Sequence, residues 1–481
     1  MADNELAQLS QAVEEIWKAS QKTPLDPFPI HFEVVPASIM YEVGSYGLPG
    51  RFSHWTHGRA YHQMKTMYDY GLSKIYELII NTNPAQAFLM EANSLIQNKL
   101  VIAHVIGHSD FFKNNVYFQH TSRQMVESVA MNAERIRHYE FEHGALEVEK
   151  YLDAILAIEE HINPNLRVKR ASDLLPDAGK PHHSRGRETV YDDLWNLEKR
   201  EPEPPPPGVK FPAEPEKDLL HFLIRYAPQL QDWQRDLISI VRAEMEYFLP
   251  QMQTKVLNEG WASFWHTRIL REMDLSDDEH MEYMRLHAGV LSPSPRGRSI
   301  NPYYVGFKIF EDIERRWNGD LTEKEREAYR ERHNGQEWPY KNQGWEKMLE
   351  VREVESDLSF LRNFLTEQLI EDLDMYIYRR EGDEWVIVEK DWRKVRDAIT
   401  RSMTNFGFPY IVVEDGDYRG NRELYLKHRY DGQELDLTHA QKTLHHLHLL
   451  WGRPVHLETV VKEKPAVLSF DGEKDEFVTD G

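Results

Sequence analysis

His104 and His108 stand four residues apart in Val101–Phe112, the stretch VIAHVIGHSDFF. On a helix this spacing puts both imidazoles on one face, about 6 Å apart along the axis. Two such rings can hold one divalent ion, and the apolar rest of the stretch leaves them in need of partners. A second segment runs Asn258-Glu259-Gly260-Trp261 to Trp265-His266. Glu259 and His266 are two helical turns apart, so a helix would give them a common face, and Gly260 permits a close approach beside the carboxylate. Glu134 and His138 repeat the four-residue spacing and would complete the same site or lie just behind it. Each of these has a structural alternative: core histidines with satisfied hydrogen bonds, the start of a Trp-rich core helix, and a mixed-charge surface helix.

Two further clusters could contribute. Glu244 falls on the apolar stripe of Trp233, Leu237, Ile240, Val241 and Phe248. A carboxylate pointing inward needs a cation, a metal or a shifted pKa, and Arg235 or Arg242 could supply the cation. Between Arg51 and His62 three histidines and two arginines are concentrated among aromatics. Arg51 and Arg59, with His54 and His57 beside them, could grip a substrate carboxylate or phosphate by paired hydrogen bonds. A loop stitched by histidine-to-backbone bonds is the structural alternative.

The elements that must position these groups follow from periodicity. Leu6, Leu9, Val13, Ile16 and Trp17 predict a helix over 4–20. The Gly- and aromatic-rich stretch 44–58 reads as a structured loop. Strands are expected at 76–80 and 87–90 around the turn Asn81-Thr82-Asn83-Pro84. Asn93 or Ser94 then caps a helix from Leu95 to about Phe112, and a further helix is expected over about 122–151. Residues 165–218 turn basic, then polar, then Pro-rich (Glu201–Pro207, EPEPPPP), which predicts an extended strap. Helices resume at 217–225 and 231–249, after Asn258, and at 276–288, 303–317 and 345–370. From about Met375 short alternating runs predict strands at 376–378, 385–388, 410–413, 424–427, 455–461 and 466–470, with helices over 390–403 and 437–451. The fold class expected is α+β: a predominantly helical main domain over 1–372, and a small C-terminal α+β domain over 373–481.

Composition narrows the chemistry. The 481 residues include no cysteine, so thiolate ligands and disulfides are excluded and any metal must rest on His and carboxylate. A net charge of −22 argues against nucleic acid as a partner. No apolar run is long enough to predict a transmembrane segment, and the polar, acidic start is unlike a signal peptide. The expected location is the cytoplasm, and no organic cofactor is expected.

The stretches NTNPAQAFLMEANSLIQNKLVIAHVIGHSDFFKNN, LNEGWASFWHTRI, NPYYVGFKIFEDIERRW, NFGFPYIVVEDGDY and LWGRPVHLETVV resemble the SpoVR (stage V sporulation protein R) family from about residue 30 to 470. The resemblance implies a bacterial protein linked to spore cortex formation or to stress and stationary-phase physiology. It also implies association with a serine kinase and a von Willebrand-like protein. A second likeness, limited to 74–112 and 258–266, is to zincin peptidases: a β-hairpin, a helix with two ligand histidines, and an Asn-Glu-Gly segment that supplies a carboxylate. The sequence departs from zincins at Val105, where their general base is a Glu. On this reading zinc would sit on His104, His108 and Glu259 or Glu244, with His138 and His266 as further candidate ligands. The base for amide hydrolysis of a peptidoglycan-derived substrate would come from Glu134, Glu91 or Glu244. The competing reading is a non-enzymatic interaction protein working with the kinase system.

Overall fold

The structure, a computed structural model, describes residues 3–69, 77–165, 210–294 and 300–479. The chain divides into two compact units, Met1–Arg135 with Glu246–Gly407, and Ile136–Met245 with Phe408–Gly481. The class is α+β, mostly helical, with a small sheet-bearing C-terminal region.

The first unit opens with helix α1 (Asp3–Ser20), strand β1 (Ile30–Val35) and helices α2 (Ala37–Tyr46) and α3 (Trp55–Asp69). Strands β2 (Leu78–Ile80) and β3 (Ala85–Met90) follow as a hairpin. β3 is the centre of a three-stranded sheet, antiparallel to β2 and parallel to β1, which the sequence reading missed. Helix α4 (Leu95–Asn114) starts at Ser94, whose hydroxyl accepts from the Gln97 amide while the Gln97 side chain accepts from Ser94 N–H.

Past α4 the expected single helix is two, α5 (Met125–His143) and α6 (Ala145–Leu156), because Gly144 takes φ 92°, a conformation that breaks the helical hydrogen-bond ladder. α7 (Leu219–Tyr226) and α8 (Asp232–Gln253) come next; most of the Pro-rich strap, 166–209, lies outside the described residues. The chain then enters α9 (Lys255–Arg271), α10 (Asp277–Val290), α11 (Pro302–Trp317), α12 (Glu323–Arg332), α13 (Gly344–Val354), α14 (Asp357–Phe364) and α15 (Glu367–Asp372). The hairpin of β4 (Ile377–Glu381) and β5 (Glu384–Glu389) and helix α16 (Trp392–Ser402) also belong to the first unit. The division therefore falls after Gly407, and residues 373–407 are grouped with the helices that precede them.

The first unit's core is built on close helix contacts. α4 and α9 are buried on nearly every side, so neither shows an amphipathic stripe. A Cβ on Gly107 of α4 would lie 2.7 Å from Ala262 Cα of α9, and one on Gly306 of α11 would lie 2.2 Å from the Val256 carbonyl oxygen. Helices can come this near only where the side chain is a hydrogen atom. Trp261, Phe264, Trp265, Phe310 and Phe360 fill the space around these crossings. Asp110 is fully buried there, 2.9 Å from the Arg352 guanidinium and accepting from Trp261 Nε1–H at 2.9 Å.

In the second unit β6 (Ile411–Tyr418), β7 (Glu423–His428), β8 (Val455–Val461), β9 (Lys464–Phe470) and β10 (Asp475–Thr479) form one sheet, in the order β10-β9-β8-β7-β6. β10 was not expected from the sequence. β7 and β8 are parallel, with helix α17 (Leu437–Trp451) between them in the chain. The described end of the strap joins the sheet through the Glu216–Val413 bridge. No helix among the described residues is long and apolar enough to cross a membrane.

Candidate metal centre

Glu77, His104, His108 and Glu259 meet in the first unit, with one potential ligand atom from each lying within 4.8 Å of all the others. Glu77 enters from the residue before β2, the histidines from α4, and Glu259 from α9. Glu259 is inside α9 and not ahead of it, because the helix begins at Lys255. The Gly107–Ala262 contact lies between the two histidines on one helix and one turn past Glu259 on the other, and it brings the carboxylate within reach.

The two separations from Glu259 fit an ion, and the one between Glu77 and His104 is shorter. Glu259 Oε2 is 3.6 Å from His104 Nε2 and 3.4 Å from His108 Nε2, and Glu77 Oε2 is 3.1 Å from His104 Nε2. A tetrahedral ion with bonds of 2.0–2.2 Å has ligand-to-ligand edges of about 3.3–3.6 Å. His104 Nε2 and Glu259 Oε2 are buried and make no hydrogen bond, a costly state unless something fills the space between them.

The atoms behind the donors set their orientation. Asn258 Oδ1 lies 2.9 Å from His108 Nδ1, so that nitrogen donates and Nε2 is turned inward. His104 Nδ1 is 2.8 Å from His266 Nδ1, and His266 Nε2 is 3.1 Å from His287 Nδ1. Tyr303 donates its hydroxyl to Glu77 Oε1 at 2.7 Å. Asp357 receives the Val256 and Leu257 amides at 2.9 Å each, pinning the first turn of α9.

Charge is concentrated here. Burial alone would push the His108 pKa down; the Glu259 carboxylate outweighs it and raises the pKa to about 9. Burial opposes ionisation of Glu259, yet the two histidines bring its pKa to about 2. Burial first, then the charges of Glu77 and Glu259, push the Tyr303 phenol far up, so it stays a proton donor. Burial, with His104 and His287 nearby, holds His266 well below the ordinary imidazole range and therefore neutral. In the absence of an ion, a proton on His108 supplies the positive charge between the carboxylates.

Of the residues expected from sequence, His104, His108 and Glu259 converge, and His266 stands behind His104. The structure does not bring the other candidates into this cluster. Glu134 and His138 are on the exposed face of α5, where His138 is 3.2 Å from Glu142. Their helical spacing was right, but the face they share is the outer one. Glu91 is exposed at the end of β3. Glu244 is buried, as its stripe required, but it belongs to the second unit and is not one of the four donors. Arg51 donates to the Tyr46 carbonyl, His54 Nδ1 meets Thr56 Oγ1 at 2.7 Å, His57 Nδ1 faces the Phe52 carbonyl at 3.3 Å, and Arg59 lies over the Trp55 ring. These contacts are internal to the 46–59 segment. Burial, reinforced by Arg51 and His54, lowers the His57 pKa to about 4.

Sequence reasoning missed Glu77, Tyr303 and His287. Glu77 was absorbed into the apolar run Tyr76–Ile80, where a single acid reads as the outward residue of a strand. A carboxylate at the mouth of the hairpin that precedes a His-x3-His helix was the available signal.

Comparison with known proteins gives a family match over almost the whole chain: "SpoVR like protein" over residues 3–408 and "SpoVR-like C-terminal domain" over 409–462. A protein of Escherichia coli (strain K12), the uncharacterized protein YcgB, is 30% identical over 469 residues, which cover 92% of this chain and 90% of its own. No solved structure matches.

Proposed function

The chain belongs to the SpoVR family, and on that premise we propose that it is a metal-dependent amide hydrolase with one zinc ion on His104, His108 and Glu259. The observation that carries the reading is the convergence of four buried or half-buried N and O donors, two of them without hydrogen bonds. A three-ligand site keeps a position for water, and zinc would supply the Lewis acidity that makes this water a nucleophile. Glu77 would serve as general base, in the role that Val105 leaves vacant on α4. It is 24% exposed, against 3% for the His104 side chain, so it borders the open side of the cluster. Tyr303, protonated and hydrogen-bonded to Glu77, would orient that carboxylate and donate to a developing oxyanion. The substrate class proposed is a peptidoglycan-derived peptide, from the family's association with the spore cortex. Work alongside a serine kinase and a von Willebrand-like protein in the cytoplasm belongs to the same proposal.

The alternative, a structural or signalling protein, gains from one feature: if Glu77 also binds the ion, four protein ligands close the site as in structural zinc centres. The test is metal content in wild type, His104→Ala, His108→Ala, Glu259→Gln and Glu77→Gln, with turnover of muropeptides by the wild type. The hydrolase reading expects about one zinc, lost in the first three variants and kept in Glu77→Gln without turnover. Zinc bound with no turnover, and lost in Glu77→Gln, favours the closed site. Negligible metal in all five proteins ends both metal readings.

A further inference from the structure

A cleft of about 810 Å³ opens in the first unit between α14, α16 and the turn Val116–Phe118. A volume of this size suits a small molecule. Arg362 and Asn363 line it from the last turn of α14. Asp397 and Arg401 line it from α16, four residues apart and so on one helical face, and Thr404 lines it from the turn that follows. The two helices are held together behind it. Phe360, Leu361 and Val395 share one buried cluster, and Arg396 Nη1 donates to the Arg362 carbonyl at 3.3 Å.

Donors and acceptors are segregated in this cleft. Neither Arg362 nor Arg401 makes a side-chain hydrogen bond or ion pair with any described residue. Asp397, the one acid among the lining residues, is 3.2 Å from the Arg396 guanidinium. Asn363 Nδ2 donates to the Glu355 carboxylate at 3.2 Å, and Thr404 Oγ1 donates to the Thr400 carbonyl at 3.3 Å. The side-chain oxygens of Asn363 and Thr404 are therefore left to accept. Directly after Thr404, Asn405 and Phe406 take φ of 51° and 60°. Residues with a Cβ rarely adopt that conformation, and such strain gathers at ligand sites.

We propose that this cleft binds a phosphate monoester with a hydroxylated body, of the sugar-phosphate class. Arg362 and Arg401 hold the phosphate, and hydroxyls of the body donate to Asn363 and Thr404. Two guanidinium groups match the nearly two negative charges of a phosphate monoester at neutral pH, and each can form paired hydrogen bonds to its oxygens. A carboxylate would bring only one charge. At a net charge of −22 the chain as a whole repels anions, so an anion needs local cations of this kind. Binding here is independent of the metal centre.

Calorimetric titration of the full chain with glucose 6-phosphate, inorganic phosphate, glucose and glucuronate tests this. Glucose 6-phosphate should bind, glucose should not, and glucuronate should bind about tenfold more weakly or worse. Arg362→Gln and Arg401→Gln should each lower the affinity for both phosphate probes about 10- to 100-fold. Both arginines are exposed, and thermal unfolding at the wild-type temperature would show that the fold is kept. Thr404→Val should weaken glucose 6-phosphate about 3- to 10-fold and leave inorganic phosphate unchanged. Arg393→Gln, exposed on α16 but outside the cleft, should change neither. Absence of binding by both phosphate probes at millimolar concentration would overturn the site, as would equal losses in Arg393→Gln and the two cleft variants. Glucuronate binding as tightly as glucose 6-phosphate would overturn the assignment to phosphate.

Discussion

Gly107→Ala adds one methyl group between the two helices that carry the donors. The added carbon would lie 2.7 Å from Ala262 Cα and 3.2 Å from Ala262 Cβ, where ordinary contact begins at 3.4 Å. α4 and α9 must therefore separate by about 0.7 Å at a point between His104 and His108 and one turn from Glu259. Ligand distances in a working metal site hold to about ±0.2 Å, so the separation is several times the tolerance. Overpacking of this kind costs about 1–3 kcal/mol, and the better helix propensity of alanine returns up to about 1 kcal/mol. Stability should fall modestly while zinc affinity drops about tenfold or more. Gly289→Ala is the matched control: it is inside α10 with nothing within 4 Å of the added carbon, and should gain about 0.5–1 kcal/mol with zinc binding unchanged. Calorimetric zinc titration and thermal unfolding of both variants decide the matter. Wild-type zinc affinity in Gly107→Ala would refute the claim that this helix contact sets the donor spacing.

Other outcomes follow from the same structure. His108 has a folded pKa raised to about 9, so the stabilisation from its protonated form is fully present below about pH 6.5 and fades as pH rises towards 9. The same proton competes with an ion, so zinc affinity of the wild type should climb over that window, and in Glu259→Gln, where His108 loses the carboxylate that raises its pKa, the fade of stability towards pH 9 should be much smaller. Arg352→Leu strands the buried Asp110 carboxylate and should cost about 3–5 kcal/mol, read by denaturant unfolding. In the second unit Lys217 is 1% exposed, with its amine making no hydrogen bond and lying 5.2 Å from the centre of the Tyr410 ring. Burial lowers its pKa to about 8 against the partial opposition of Asp218, Glu160 and Glu216. Between about pH 8 and 10.4 the unfolded chain binds the extra proton, so stability should rise with pH across that window. Lys217→Met should abolish the rise, and a melting-temperature profile against pH will show whether it does.

The sequence by itself determined the α+β class, most of the element order, and the pairing of His104 with His108, because these depend on local periodicity and on a helix's fixed rise per residue. It also determined that any ion must rest on nitrogen and oxygen, since the chain has no cysteine. Local pattern could say that Glu134 and His138 share a helical face, but it could not say that this face is the outer one. Pattern reading placed Glu244 inside correctly, yet had no means of telling which unit's interior received it. Only tertiary structure decided that Glu259 reaches the histidines, through glycine contacts whose closeness depends on a partner helix more than 150 positions along the chain. Glu77 and Tyr303 join for the same reason. A site drawn from the residue before β2, from α4 and α9, and from Tyr303 of α11 is a property of packing, and its members carry no common spacing for a sequence pattern to register.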